Sequence, residues 1–348
     1  MEGRTRADYL TADYGRVVPL YRAYGILIDC DVLLPELALS PPGQHAVGAA
    51  IRARLNITRP VEFDAAEAFM RLYNAKGDEW FLSGRCTGGY LLRFVGVADF
   101  FVSERGDRIE CCSTGAKILP ETLRHLLLDA VIPEVLDLIG KESMHATAVL
   151  TDYGACAFIG PSGAGKSTLA ASFALAGVPL LGDDCIVLSG GDRLLLTPGY
   201  PGTRLWGDSV EALRIDPARS HAIAGYSSKR RAFDFHFSSL LSQPQPLARI
   251  FRLNRCNDAD SPADLPRIEQ LSSAEAFMEL ISASYRFDPT DRAANLRQFH
   301  FLEQVVARVP VKKLVVPNDF IALPAVREMV LADLSSREGD SVGFFEAR

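Results

Sequence analysis

The chain has no long apolar run, no long run of lysine and arginine, and no paired spacing among its cysteines. Each absence removes a class of protein. The most apolar long stretch, residues 169–182, falls short of the ~20 residues that a bilayer-spanning helix needs and suits a buried helix plus strand. The net charge is −6 and the one basic cluster, Lys229-Arg230-Arg231, is too short to make an electrostatic stripe, so no nucleic-acid partner is expected. The seven cysteines (Cys30, Cys86, Cys111, Cys112, Cys156, Cys185 and Cys256) are scattered, and the vicinal Cys111-Cys112 suits no ordinary structural bridge. Three of them sit inside apolar runs, where a thiol acts as a small hydrophobe. The first residues lack the apolar core of a signal peptide. There is no internal repeat and no low-complexity tract. These absences predict a cytoplasmic protein with reduced thiols, no structural metal and no membrane partner.

What is present is a core-forming composition, 48% hydrophobic and 23% charged over 348 residues, enough for two domains. The most informative stretch is Gly160-Pro161-Ser162-Gly163-Ala164-Gly165-Lys166-Ser167-Thr168. It fits G-x-x-x-x-G-K-[ST], in which glycines let backbone N–H groups wrap a phosphate, the lysine reaches the outer phosphates and the serine holds Mg²⁺. The apolar run 155–159 predicts a buried strand entering the loop. Residues 169–176 predict a helix leaving it, stopped by Gly177 and Pro179. Such a helix adds positive potential at its N-terminus.

Residues up to about 115 are strand-rich. Short β-type runs at 24–30, 80–83 and 90–94 are broken by glycines, and 99–103 and 108–112 flank the turn Glu104-Arg105-Gly106-Asp107. A helix is expected over 120–138, bent or broken at Pro133. Beyond Gly140 strands and helices alternate as in an α/β core. Residues 146–150 and 155–159 form a hairpin, with further strands at 193–197, 248–253 and 311–316 and helices at 274–285, 292–308 and 323–334. The division expected is 1–138 for the strand-rich domain with its connecting helix and 139–348 for the core domain.

Asp183-Asp184 interrupt the apolar run 178–188, and adjacent carboxylates there need a cation, a proton or a donor. They follow Ser167 by one helix plus one strand, which returns them to the loop. Phosphoryl transfer requires both a metal ligand and a general base; a simple strand-ending turn is the alternative. His145, ahead of the hairpin that feeds the loop, reads either as a structural histidine or as a group reaching the phosphates. Leu188-Ser189-Gly190-Gly191 copies a transporter-ATPase signature but lies between two strand runs, so it reads as a hairpin turn. Arg230, in Lys229-Arg230-Arg231 after the polar segment 225–228, reads as a cation on a mobile loop that closes over a transferring phosphoryl, or as a solvated surface residue. Arg204 is either a substrate contact or a residue packed near Trp206.

Taken together, Met144-His145, 160–168 and Gly182-Asp183-Asp184 resemble the HPr serine kinase/phosphorylase family. The resemblance implies an α/β fold with a P-loop kinase core of the HPr kinase and ATP-type phosphoenolpyruvate carboxykinase kind, beside a smaller strand-rich N-terminal domain. It implies ATP and Mg²⁺, Asp184 as base toward a hydroxyl, Asp183 and Ser167 near the metal, Lys166 on the phosphates and His145 beside them. The bifunctional family has an acidic residue where this chain has Thr168, and its I-R-G-L-G signature has no counterpart here. The longer pattern, including Pro198-Gly199-Tyr200-Pro201 and Pro317-Asn318-Asp319, is similar to divergent members that accompany lasso-peptide pathways. That likeness implies transfer to a serine on a peptide or small protein. A small-molecule hydroxyl kinase and a non-catalytic nucleotide-gated binding protein are the alternatives, and a homo-oligomer is left open.

Overall fold

The computed structural model describes residues 9–11, 17–39, 50–57, 68–74, 76–115, 117–223, 227–232, 243–256 and 266–336. Gly225 and Tyr226, read above as part of a polar lead-in to the basic cluster, lie outside them. The described chain is mixed α/β, with two large sheets and a small one.

The first sheet is built almost wholly before residue 115. Its strands run in the spatial order Tyr9–Thr11, Val17–Ala23, Ile26–Cys30, Ala50–Arg54, Arg108–Ser113, Ala98–Ser103, Gly89–Phe94, Glu79–Cys86 and Ala68–Tyr73. Four consecutive antiparallel pairings from Ala68–Tyr73 to Arg108–Ser113 follow directly from short glycine-bearing turns. Cys111 is fully buried, Cys112 nearly so, and all seven cysteines are free thiols.

The helix expected over 120–138 is three segments in register: Pro120–Leu126, a π-turn over Leu127–Val131, and Ile132–Leu138. Pro133 has no N–H to offer the carbonyl of Asp129 and its ring would clash there. The widened π-turn absorbs that misfit without ending the helix. Leu126, Leu127, Leu128, Val131, Ile132, Val135 and Leu136 bury against the first sheet, so sheet and helix share one core.

The second sheet runs Glu142–Met144, Ile186–Ser189, Leu195–Thr197, Gln245–Cys256, Gly154–Ile159, Thr147–Thr151 and Leu180–Gly182, with Val311–Pro317 pairing Gln245–Cys256. Gly154–Ile159 is apolar throughout because helices cover both of its faces. Cys156 and Phe158 join one core with the helices Lys166–Leu175 and Leu323–Ser335. Ala155, Ala157 and Ile159 join another with Ser273–Ala283 and Arg292–Arg308. That split is the period-two alternation of a strand. Phe158 stacks between Phe173 and Phe251, with ring centroids 5.8 and 6.2 Å away. Burying each such ring contributes about 1.5–3 kcal/mol. Ser189 pairs with Leu195 across residues 190–194, so Gly190-Gly191 is the turn of a hairpin.

The third sheet, Thr203–Leu205, Arg230–Ala232 and Ser220–Ala222, carries the basic cluster. Contacts tie the first sheet to the core, among them Arg85 with Asp288 at 2.5 Å, Tyr90 edge-on to Phe287 at 4.7 Å and Tyr24 edge-on to Tyr200 at 6.0 Å. No described helix is long and apolar enough to cross a membrane.

Candidate active site

The strand Gly154–Ile159 hands its chain to the glycine loop at Gly160, and the helix Lys166–Leu175 leaves at Gly165. Gly160 and Gly165 have φ of 139° and 95°, values that favour glycine. A Cβ on Gly160 would meet the Leu253 carbonyl at 3.0 Å, and one on Gly165 would meet the Arg255 guanidinium at 3.3 Å. No side chain caps the helix and no acidic residue sits in its first turn. Its N-terminal amides and positive dipole end are therefore open to an anion.

Lys166 lies across the loop. Its ammonium donates to the carbonyls of Gly160 at 2.8 Å and Pro161 at 3.2 Å, and to His145 Nε2 at 3.1 Å. His145 Nδ1 then donates to the Asp184 carbonyl at 3.0 Å. That assignment leaves the imidazole neutral, and burial, then the neighbouring Lys166 charge, push its pKa down. Burial also lowers the Lys166 pKa, against the pull of Asp184 and Asp183.

Sheet register brings the two carboxylates back. Leu180–Gly182 pairs with the hairpin strand Thr147–Thr151, placing Gly182 opposite Ala148 and Asp183 beside Thr147. Asp183 Oδ1 accepts from Thr147 Oγ at 2.6 Å and Ser167 Oγ at 2.8 Å, and Oδ2 accepts from the Arg204 amide at 2.7 Å. Burial and the adjacent Asp184 charge raise its pKa.

Asp183 and Asp184 lie in a bend between the strands Leu180–Gly182 and Ile186–Ser189. Asp184 adopts φ 65°, uncommon for a residue with a side chain. His145 and the Tyr285 hydroxyl, at 3.0 and 3.1 Å, both hold its carbonyl in place. The bend and the site are therefore the same feature.

His145, Lys166, Ser167 and Asp184 line one cavity of about 340 Å³, whereas the Asp183 side chain is completely buried and does not line it. Ser162, Gly163, Gly165, Lys166, Ser167 and Thr168 form its floor, with His145, Asp184 and Arg204 on one wall and Trp206, Asp208, Ser209, Lys229 and Arg255 completing the rim. Ala164 faces a neighbouring cleft, and Gly160 enters through its carbonyl.

Arg230 is placed differently from the mobile-loop expectation. It is paired in a sheet, opposite Leu205 and Ala222, and its guanidinium donates to Ser220 Oγ at 2.8 Å and the Ser220 carbonyl at 2.6 Å. Strand pairing fixes the segment, and Lys229 is the member of the cluster that lines the cavity. Arg231 is buried and pairs with Asp129 at 3.2 Å.

Sequence reasoning missed Asp129. It sits in the π-turn and binds Arg204 through Nη2 at 2.5 Å and Nε at 3.2 Å, Arg231, His125 at 2.6 Å, and the Tyr200 hydroxyl. Burial opposes its ionisation, but Arg204, Arg231 and His125 hold its pKa well below the usual carboxylate range. Arg204 lines the cavity and is the hub that joins Asp129 to the loop carboxylates. It donates to the Asp183 carbonyl at 2.9 Å, lies 3.5 Å from Asp184 Oδ2, and stacks 4.6 Å over Tyr200. The available signal was an acid alone within the apolar run Leu127-Leu128-Asp129-Ala130-Val131.

Ser167 Oγ and Asp183 Oδ1 are hard oxygen donors 2.8 Å apart. Among the described residues no cluster of three or more His, Cys, Asp or Glu could hold a metal alone. Few protein ligands supplemented by phosphate oxygens is the donor set that suits Mg²⁺.

No protein-family model matches the chain. No curated protein matches it. Among solved structures, it is similar to the Hpr(Ser) kinase/phosphatase from Coxiella burnetii, with 14% identity, a TM-score of 0.28, and coverage of 55% of this chain and 96% of that one. So distant a likeness carries no argument here, and the functional reading rests on the site residues.

Proposed function

We propose that this chain is an ATP- and Mg²⁺-dependent kinase that transfers the γ-phosphoryl to a hydroxyl, with serine on a peptide or small protein as the favoured acceptor. The observation that carries the reading is the convergence of Lys166, Ser167 and Asp184 on one cavity over the glycine loop. A loop alone accounts for binding a triphosphate. A carboxylate facing the same space adds a place for the acceptor proton.

In this reading the loop amides and Lys166 bind the phosphates, with Lys166 exchanging its loop carbonyls for phosphate oxygens. Ser167 and Asp183 would hold Mg²⁺, which when bound neutralises charge on the phosphates. Asp184 orients the acceptor hydroxyl and takes its proton as the oxygen bonds to the γ-phosphorus. The bond from that phosphorus to the β–γ bridging oxygen breaks, and ADP leaves. His145, kept neutral, accepts a hydrogen bond from Lys166 and positions the Asp184 backbone. The Arg204–Asp129 pair sets the charge around both carboxylates. We divide the chain at about residue 138, the first sheet and its helix forming one part and the kinase core the other. The modified-peptide acceptor, such as a lasso-peptide precursor, follows from the sequence resemblance.

The test is mass spectrometry of serine peptides incubated with the protein, ATP and Mg²⁺. Transfer adds about 80 Da, one phosphoryl group. Asp184→Asn is expected to bind ATP normally and to lose transfer, and near-normal transfer by that variant would refute the base assignment. Transfer only to free serine or a sugar would assign a metabolite kinase, and ATP binding without transfer to any hydroxyl would assign a nucleotide-gated binding protein.

A further inference from the structure

One wall of the cavity has no task in phosphate binding. Trp206 lines the same space as Lys166 and Asp184, yet 46% of it is exposed. It stands at the N-terminus of the short helix Gly207–Ala212 without capping it through its side chain. Over its ring sits the Lys229 ammonium, 5.4 Å from the centroid, and Lys229 also lines the cavity. No carboxylate among the described residues pairs with Lys229; its backbone amide donates to Ser227 Oγ at 3.2 Å. The only described partner of its charge is thus the face of an indole.

A cation over an exposed ring is weakly held. A triphosphate on the glycine loop presents several negative charges in the same cavity, and charge-assisted bonds to phosphate oxygens are much stronger than the ring's attraction. Lys229 already acts on that space: after burial and the two aspartates, its charge also bears on the titration of Lys166.

We propose that Lys229 rests on Trp206 until a triphosphate enters, and that the indole face it then leaves is the recognition surface for an apolar side chain beside the acceptor hydroxyl. The inference rests on the kinase reading and deepens it. Asp184, the base of that reading, lines the same cavity as the indole. Bound nucleotide favours acceptor binding, because it draws the cation off the platform. The acceptor class it selects is a hydroxyl with an apolar neighbour, as in a peptide, over an isolated polar metabolite.

The chain has two tryptophans, so Trp80→Phe leaves Trp206 as the sole indole reporter. In that full-length background, acrylamide quenching is measured with and without a non-hydrolysable ATP analogue and Mg²⁺. Quenching is expected to rise roughly twofold with nucleotide, and to be equally high without nucleotide once Lys229→Met removes the cation. N-acetyl-seryl-phenylalanine amide should then lower the quenching of the nucleotide complex, whereas N-acetyl-seryl-glycine amide should not. Equilibrium dialysis of the analogue separates the failures. Analogue that does not bind overturns the kinase reading and the gate with it. Bound analogue with unchanged quenching, or a Lys229→Met protein that behaves like its parent, overturns the gate alone. Two dipeptides with the same effect overturn the apolar platform.

Discussion

Arg204→Met tests how the site is held together. The Arg204 side chain is completely buried and answers three carboxylates: Asp129 at 2.5 Å, Asp184 at 3.5 Å and Asp183 at 3.8 Å. Methionine keeps the apolar stem against Tyr200 and deletes the charge. Removing one partner of a buried ion pair costs about 3–5 kcal/mol, because the other charges stay buried without compensation. Arg231 and His125 still reach Asp129, which places the expected loss in the lower half of that range at pH 7.

The pH dependence distinguishes this cause from lost packing. In the parent protein the depressed Asp129 pKa contributes stability that is present above the unfolded carboxylate value of ~3.9 and is lost as pH falls toward the folded value. In the variant the uncompensated carboxylates have raised pKa values, so its stability recovers as they protonate on going from pH 7 toward 4. The gap between the two proteins is therefore widest near neutrality and narrows on acidification. Urea unfolding at pH 7.5 and 4.5 reads it directly. A loss below about 1 kcal/mol, or the same gap at both pH values, would refute the claim that Arg204 acts as the counter-charge. Arg204→Lys, which keeps the charge but not the two-pronged contact with Asp129, should fall between.

Three further outcomes follow from the same geometry. Gly165→Ala forces a side chain into φ 95° and against Arg255, so it should cost about 1–3 kcal/mol in thermal unfolding and weaken ATP binding in calorimetry. Lys166→Met should leave the unfolding midpoint within a few degrees of the parent and lower ATP affinity by roughly tenfold or more, the loss expected when a charged hydrogen-bond donor is removed. Glu134 is only partly shielded as a residue, but its Oε2 is buried without a hydrogen bond, and burial followed by the Asp137 charge raises its pKa to about 8. An acid whose folded pKa is raised binds its proton more tightly in the folded state, so the parent loses stability as pH rises from about 4.5 through 8. Glu134→Gln should flatten that slope by on the order of 2–4 kcal/mol in urea titrations across the window.

Much of the core was legible because its pattern is local. The apolar run 155–159, the loop glycines and the helix stop at Gly177 each state their structure within a few residues. The helix Arg292–Arg308 falls where its periodicity predicts. A disturbance near Pro133 was legible, but its form was not: a proline can end, kink or widen a helix, and here the helix widens into a π-turn over Leu127–Val131 and continues. Arg230 was misplaced for a related reason. A basic triplet after a polar segment carries no sign of the two strands, Thr203–Leu205 and Ser220–Ala222, that pin it.

The sequence by itself determined the strand, glycine turn and helix of the loop and the return of Asp183 and Asp184 to it. A strand, a tight glycine turn and a helix form a continuous stretch, and one further strand restores the chain to the same end of the sheet. Only the tertiary structure decided which cations and donors surround the two adjacent carboxylates. That depends on Arg204, Asp129, Tyr200 and Arg231, which come from a helix, a loop and the third sheet and are spread over 102 residues of sequence. Charge compensation in a buried site is set by distance and desolvation in space, and neither is encoded by neighbours along the chain.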